Sequence, residues 1–231
     1  VKDFNAVAGA ALQGLDLDVA VCCGHSRLFP EAVLHAPRMG WLNAHPSLLP
    51  RHRGPMPGFW EMRAGEERSG VTLHVLTIET DGGPVVVQKG IELHPAMQFS
   101  QLVREQAAVA ATLLRECLLP FVAGELKPVA QSGEPTHEPM PKPEDFFLDG
   151  EMSCRAVGTF VSGMRGIAPV AVMSGGQALL VEGIVLAVED AGADGRPGDT
   201  NHDGRGMLHF RAKDGWVKLL VSDPQAGMQG A

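Results

Sequence analysis

Asn43 and His45 stand two residues apart at the end of a short apolar run, Trp41-Leu42-Asn43-Ala44-His45, just before Pro46-Ser47-Leu48-Leu49-Pro50 and Arg51-His52-Arg53-Gly54. The two prolines stop any helix or inner strand, because proline lacks the amide donor and restrains the residue before it. An amide and an imidazole are thereby fixed at a strand end. A second stretch, Gly70 to Pro84, reads as a strand that delivers Asp81 into the glycine turn Gly82-Gly83. These three side chains suit a reaction in which negative charge develops on an oxygen while a proton moves. Asn43 can donate to that oxygen without carrying charge. His45 can stabilise the oxygen and shuttle a proton, while Asp81 can orient His45, hold a water or accept the proton. Taken singly, each also has a plain reading: a turn-forming asparagine, a surface histidine and a turn-capping aspartate.

The elements that must position them follow from periodicity. Phe4, Val7, Ala8, Ala11, Leu12 and Leu15 recur at helical spacing, and residues 17–23 end in an apolar run that suits a buried parallel strand. A turn over residues 24–30 leads to a short helix at 31–36, then a strand at 41–43 and the proline-rich loop through Pro57. A brief helix at 58–64 and strands at 70–78 and 85–93 come next. Ser100 reads as the cap of a long helix whose apolar face is Leu102, Val103, Ala110, Leu113, Leu114, Cys117 and Leu118, closed by Pro120 and Gly124. Prolines 128, 135, 139, 141 and 143 mark residues 125–145 as a surface linker. Residues 146–231 carry short β-type runs at 169–172, 178–186, 207–211 and 216–221, which suggest a small barrel or sandwich. Residues 192–206, rich in Asp and Gly, read as a mobile loop without core residues. Three regions result: 1–124, a linker at 125–145, and a β-rich domain at 146–231.

Composition excludes several classes. The chain has 231 residues, 45% hydrophobic and 20% charged, as an ordinary globular protein does. No stretch approaches a membrane span and no signal peptide opens the chain. Its four cysteines, Cys22, Cys23, Cys117 and Cys154, read as buried reduced thiols of a cytoplasmic protein. A net charge of −8 argues against a general nucleic-acid surface.

Asn-x-His-Pro-Ser-Leu-Leu-Pro at 43–50, followed 36 residues after His45 by Asp81-Gly-Gly-Pro84, resembles the folate-dependent formyltransferases, the group that includes the glycinamide ribonucleotide and methionyl-tRNA enzymes. The resemblance implies an α/β, Rossmann-like domain with a mostly parallel sheet, and a barrel-like C-terminal domain like that of the methionyl-tRNA enzymes. Measured against the family, the first βαβ portion is expected to be missing, which would leave a sheet edge open to self-association. The resemblance assigns catalysis to Asn43, His45 and Asp81, acting through a tetrahedral oxyanion intermediate. It places the pterin of 10-formyltetrahydrofolate between the turn Arg27, Leu28, Phe29 and the loop Ile78, Glu79, Thr80, though Leu28 and Phe29 also read as core. A flat heteroaromatic ring suits an apolar slot lined with backbone polar groups.

Other residues stay open at this level. His74 either supports the cluster or is a hydrogen-bonded core residue. His52 reads as exposed, and Arg51 and Arg53 bind an anionic acceptor or are solvated. His45, His52 and His74 lack the spacing of a zinc site, so no metal is expected. The expected reaction is transfer of a formyl group to the primary amine of a small molecule. The 7 Lys+Arg against 10 Asp+Glu in residues 146–231, a balance of −3, weigh against a tRNA-gripping module. Methionyl-tRNA as acceptor, hydrolysis of the donor, and folate binding without turnover are the alternatives.

Overall fold

The computed structural model describes residues 11–12, 14–25, 27–185, 195–202 and 207–223. They fall into two compact units that are interleaved along the chain. The first comprises Val1–Pro57, Arg68–Glu92 and Arg104–Met140; the second comprises Gly58–Glu67, Leu93–Val103 and Pro141–Ala231. The helical pattern that begins at Phe4 lies mostly outside the described residues.

In the first unit, strands β1 (Ala20–Cys23), β2 (Trp41–His45), β3 (Arg68–Val75) and β4 (Val85–Glu92) form one sheet in the order β1-β2-β3-β4. A short helix α1 (Glu31–Leu34) connects β1 to β2, and Trp41 Nε1 donates to the Val33 carbonyl at 2.8 Å. Only β1 and β2 run parallel; β2–β3 and β3–β4 are antiparallel. The expectation of a mostly parallel sheet is therefore corrected to a mixed one. Residues 69–74 of β3 are buried without alternation, which sequence reading takes as the mark of a parallel strand. Here the cause is cover on both faces. One face, with Ala44, Val71 and Leu73, packs on Leu113 of the long helix α3 (Phe99–Val122), with Val109, Ala110, Leu114 and Cys117 beside it. The opposite face carries polar side chains beneath the loops.

Helix α3 starts at Phe99, so Ser100 is inside it rather than capping it, and Pro120 lies within its last turn. Val103 is exposed rather than part of the apolar face. Gln106, buried on α3, donates from Nε2 to the Pro46 carbonyl (2.9 Å) and the Ser69 hydroxyl (3.0 Å). Gln88 on β4 likewise reaches the Leu49 carbonyl and Thr72 Oγ1. The loop after β2 thus has its backbone carbonyls satisfied from the sheet and the helix below.

The second unit is built on a five-stranded antiparallel sheet in the order β5-β6-β9-β8-β7: β5 (Val170–Ser174), β6 (Gln177–Val185), β7 (Thr200–His202), β8 (Met207–Arg211) and β9 (Trp216–Ser222). The edge strands β5 and β7 meet through side chains, with Thr200 Oγ1 donating to Ser174 Oγ at 2.9 Å. Residues 195–202 therefore include a paired strand, which corrects the reading of 192–206 as a loop without structure; 192–194 and 203–206 lie outside the described residues. A helix missing from the sequence reading, α4 (Cys154–Met164), is capped by Ser153, whose hydroxyl accepts from the Ala156 amide at 3.1 Å. A short helix α2 (Pro57–Ala64), placed in the chain between β2 and β3, supplies Phe59, which packs edge-on to Phe160 of α4 (5.3 Å) and against Phe146 (5.1 Å). Phe59 and Phe160 are fully buried, so the core of this unit draws on residues about a hundred positions apart. Cys22 is the only one of the four cysteines that is buried; Cys23 is exposed, and Cys117 and Cys154 are half-buried. No helix among the described residues is long and apolar enough to cross a membrane.

Phe59→Ala is expected to lower the free energy of unfolding by about 3–5 kcal/mol, the usual cost of deleting a buried phenylalanine. Urea unfolding measures it, and a loss below about 0.5 kcal/mol, as at a surface site, would show that the ring is not part of the core.

Candidate active site

Side chains two apart on a strand share a face. Asn43 and His45 therefore project together, and Asn43 pairs directly across β2–β3 with His74. All three are buried, at 9%, 4% and 0% exposure. Asn43 Nδ2 lies 3.1 Å from His74 Nε2, and His74 Nδ1 lies 3.3 Å from the Val75 carbonyl. By these two contacts the Asn43 amide donates to Nε2 and the ring proton sits on Nδ1; Nε2 also faces the Asp81 carboxylate, to which it donates in the other tautomer. One Asn43 N–H is thus engaged and the second remains for another acceptor.

The connection between β3 and β4 folds back over this face and brings Asp81 onto it. Asp81 has φ = 49°, a left-handed backbone that aspartate tolerates better than most residues. Its Oδ1 lies 3.5 Å from His45 Nδ1 and 3.6 Å from His74 Nε2, while Oδ2 accepts from the Gly54 amide at 2.8 Å. Two glycines permit these approaches. A Cβ on Gly83 would meet the Val75 carbonyl oxygen at 1.8 Å, and one on Gly54 would meet the Glu138 carbonyl oxygen at 2.3 Å. His45 Nε2 lies 2.9 Å from the His52 carbonyl. A carbonyl only accepts, so the imidazole proton is on Nε2 and the Nδ1 lone pair faces Asp81 across a gap longer than a normal hydrogen bond.

The electrostatics keep these roles apart. Burial pushes the His45 pKa below its ordinary value, against the pull of Asp81 and the His52 carbonyl, and His74 and His52 add to the lowering. For Asp81, burial opposes ionisation, but the His74 and His45 rings and the Gly54 amide outweigh it and hold the carboxyl below its ordinary range. The resting site is a neutral imidazole facing a carboxylate.

Asn43, His45, His74 and Asp81 are thus brought together. His52 is not exposed as the sequence suggested. It is buried with φ = 55°, its amide donates to Thr136 Oγ1 at 2.7 Å, and its Nδ1 lies 3.2 Å from Glu138 Oε1. Arg53 neither awaits an acceptor nor is solvated: it is buried, paired with Glu79 at 2.5 Å and bonded to Gln131. Arg51 is exposed. In the inferred donor turn Leu28 is 69% exposed and so not core, whereas Phe29 is half-buried, stacked on His25 (4.5 Å) and tilted against Trp41 (4.8 Å). Ile78 is 73% exposed, and Arg27, Glu79 and Thr80 are exposed. Residues that sequence reasoning missed are Gln131, Thr136 and Glu138. They belong to the proline-rich segment taken for a surface linker, and their only signal is polar side chains among the prolines.

Both shifts act on stability in the same direction. The fold holds His45 neutral, so the unfolding free energy falls as pH drops below the ordinary histidine value of 6.5, where only the unfolded chain gains a proton. The Asp81 contribution is full above 3.8 and is lost as pH falls through the depressed folded value. Urea midpoints measured against pH should decline less steeply below 6.5 in His45→Gln, and less steeply in the acid limb in Asp81→Asn. Wild-type slopes in both variants would contradict these charge states.

A family model for formyl transferases matches residues 2–118. The methionyl-tRNA formyltransferase of Sorangium cellulosum is 32% identical over 212 residues, covering 91% of this chain and 68% of that protein. That of Synechococcus sp. strain JA-2-3B'a(2-13) is 36% identical over 149 residues, covering 64% of this chain and 46% of that protein. Among solved structures, HypX from Aquifex aeolicus in complex with tetrahydrofolic acid superposes with a TM-score of 0.61 at 23% identity, over 93% of this chain and 37% of that one, a likeness of fold. All three are longer than this chain, which spans about half to two thirds of the curated pair. With the matched region covering half the chain and the Sorangium relative aligned over 91% of it, this chain belongs to the formyltransferase family.

Proposed function

We propose that the chain transfers a formyl group from 10-formyltetrahydrofolate to a primary amine. The observation that carries this reading is the convergence of the Asn43 amide, the His45 imidazole and the Asp81 carboxylate on one buried face. When bound, the folate supplies the formyl carbon. The residues that would hold it are Arg27, Leu28, Phe29, Ile78, Glu79 and Thr80. Leu28 and Ile78, large apolar side chains left to solvent, fit a flat ring as occupant, and the stacked Phe29 adds an aromatic wall.

The chemistry follows from the hydrogen-bond assignments. The second N–H of Asn43 is a fixed donor for the negative oxygen that develops on the formyl carbon. Asp81, an ionised acceptor, takes the proton that the attacking amine must lose. His45 takes that proton at Nδ1 and releases it to the leaving nitrogen. While it carries the proton, both its N–H groups donate: Nε2–H to the His52 carbonyl and Nδ1–H toward Asp81 and the reacting centre. A carbon–nitrogen bond forms to the acceptor, another breaks to the donor, and one proton crosses between the two nitrogens.

Two observations bear on the acceptor. The −3 balance of residues 146–231 supports a small amine. The curated relatives are methionyl-tRNA formyltransferases, which supports methionyl-tRNA as a second reading. Asn43→Ala, His45→Ala and Asp81→Ala should each lower turnover at least ~10²-fold while the protein stays folded, the effect of removing a transition-state group. Wild-type turnover in any two would contradict the mechanism. Assays with methionyl-tRNA and with amino-sugar nucleotides, each with formate release measured without acceptor, separate the acceptors from hydrolysis. Transfer to methionyl-tRNA alone would reverse the small-molecule reading, and formate release without transfer would replace transfer by hydrolysis.

A further inference from the structure

Gln131 has all four hydrogen-bonding positions of its amide engaged. Nε2 donates to the Asp81 carbonyl at 2.7 Å and the Gly83 carbonyl at 2.8 Å. Oε1 accepts from Arg53 Nη2 at 2.7 Å and Arg53 Nε at 3.2 Å. A primary amide has two donors and two lone pairs, so none is left over. One end of this side chain therefore grips the turn that carries Asp81, and the other grips the residue between His52 and Gly54. Those neighbours are the two contacts of the site: the His52 carbonyl accepts from His45 Nε2, and the Gly54 amide donates to Asp81 Oδ2.

The segment around Gln131 is itself fixed at both ends. Val129 exchanges two backbone hydrogen bonds with Val85 at the start of β4, at 2.7 and 2.8 Å. Farther along, Arg53 donates to the Thr136 carbonyl (3.0 Å) and accepts from the Glu138 amide (2.8 Å), while the His52 amide donates to Thr136 Oγ1. The left-handed backbone at His52, which costs energy in a non-glycine residue, is held by this pairing.

We infer that the proline-rich segment 129–138 is a working part of the catalytic centre, with Gln131 as the positioning residue that sets the gap between Asp81 and His45. This inference rests on the proposed formyl transfer for its kinetic consequence but not for its structural one. The groups facing His45 are the Asp81 carboxylate, the His74 ring and the His52 backbone, and Gln131 holds the Asp81–Gly83 backbone on one side of that set and the Arg53 guanidinium on the other without touching His45.

Gln131→Met tests it, because methionine keeps the volume and neutrality of the side chain and loses all four hydrogen bonds. In the full 231-residue chain, His45 should titrate at lower pH in this variant than in wild type, as Asp81 moves away; NMR of the imidazole C2 proton reads this. In the assay that detects transfer, kcat should fall ~10-fold or more with the donor KM little changed, the mark of a displaced reacting group. Gln131→Glu, which keeps the acceptor for Arg53 but cannot donate to the Asp81 and Gly83 carbonyls, should fail to restore kcat. Where Gln131→Met does not fold, Thr136→Val should show the same loss of kcat from the other end of the segment. A wild-type His45 titration in Gln131→Met, or wild-type kcat in Gln131→Met or in Gln131→Glu, or in Thr136→Val where that variant stands in, would overturn the positioning role. The titration needs no turnover, so a chain without transferase activity would refute the proposed function while the titration still decides this inference.

Discussion

The site depends on a hydrogen bond whose direction admits no choice. His45 Nε2 faces the carbonyl of His52 at 2.9 Å, and a carbonyl cannot donate. That contact places the imidazole proton on the far side of the ring and turns the Nδ1 lone pair toward Asp81. A histidine free to change tautomers would present a donor and an acceptor to the reacting atoms in turn. Fixed this way, and with burial holding it neutral, it presents an acceptor that becomes a donor only after taking a proton.

Holding that geometry calls for backbone in unfavourable places, and the surrounding structure is arranged to keep it there. His52 and Asp81 both adopt left-handed backbone, and Gly54 and Gly83 sit where no side chain fits. Such conformations persist only when neighbours fix them. Here the neighbours are polar side chains that spend their hydrogen bonds on loop carbonyls: Gln106 on Pro46, Gln88 on Leu49, and Gln131 on Asp81 and Gly83. Gln106 is buried, Gln131 half-buried and Gln88 exposed, and each amide reaches a segment that makes no regular ladder. The apolar face of the same sheet, packed on α3 through Ala44, Val71, Leu73 and Leu113, supplies the rigid base on which these contacts are referenced.

Much of this was legible in the sequence. Alternation along residues 41–45 puts Asn43 and His45 on one face, and the glycine turn after Asp81 marks where the chain must bend sharply. What escaped reading has physical causes. His52 and Arg53 are polar residues whose burial depends on partners far along the chain, and no local pattern carries that information. Residues 129–138 look like a linker because prolines forbid helix and inner strand, yet proline forbids neither isolated bridges nor side-chain hydrogen bonds. Helix α4 was overlooked because its two glycines dilute a helical pattern, although its apolar residues bury one continuous face. The antiparallel pairing of β3 leaves no mark in its sequence, because cover on both faces buries residues 69–74 without alternation.

Since the account places a neutral His45 with its proton on Nε2 at its centre, long-range nitrogen–proton correlation NMR of the labelled imidazole tests it most directly. At neutral pH the account predicts a protonated Nε2 and an unprotonated Nδ1. A ring protonated on Nδ1, or on both nitrogens, would contradict it, because the Nδ1 lone pair would then be unavailable to take the proton passed on by Asp81.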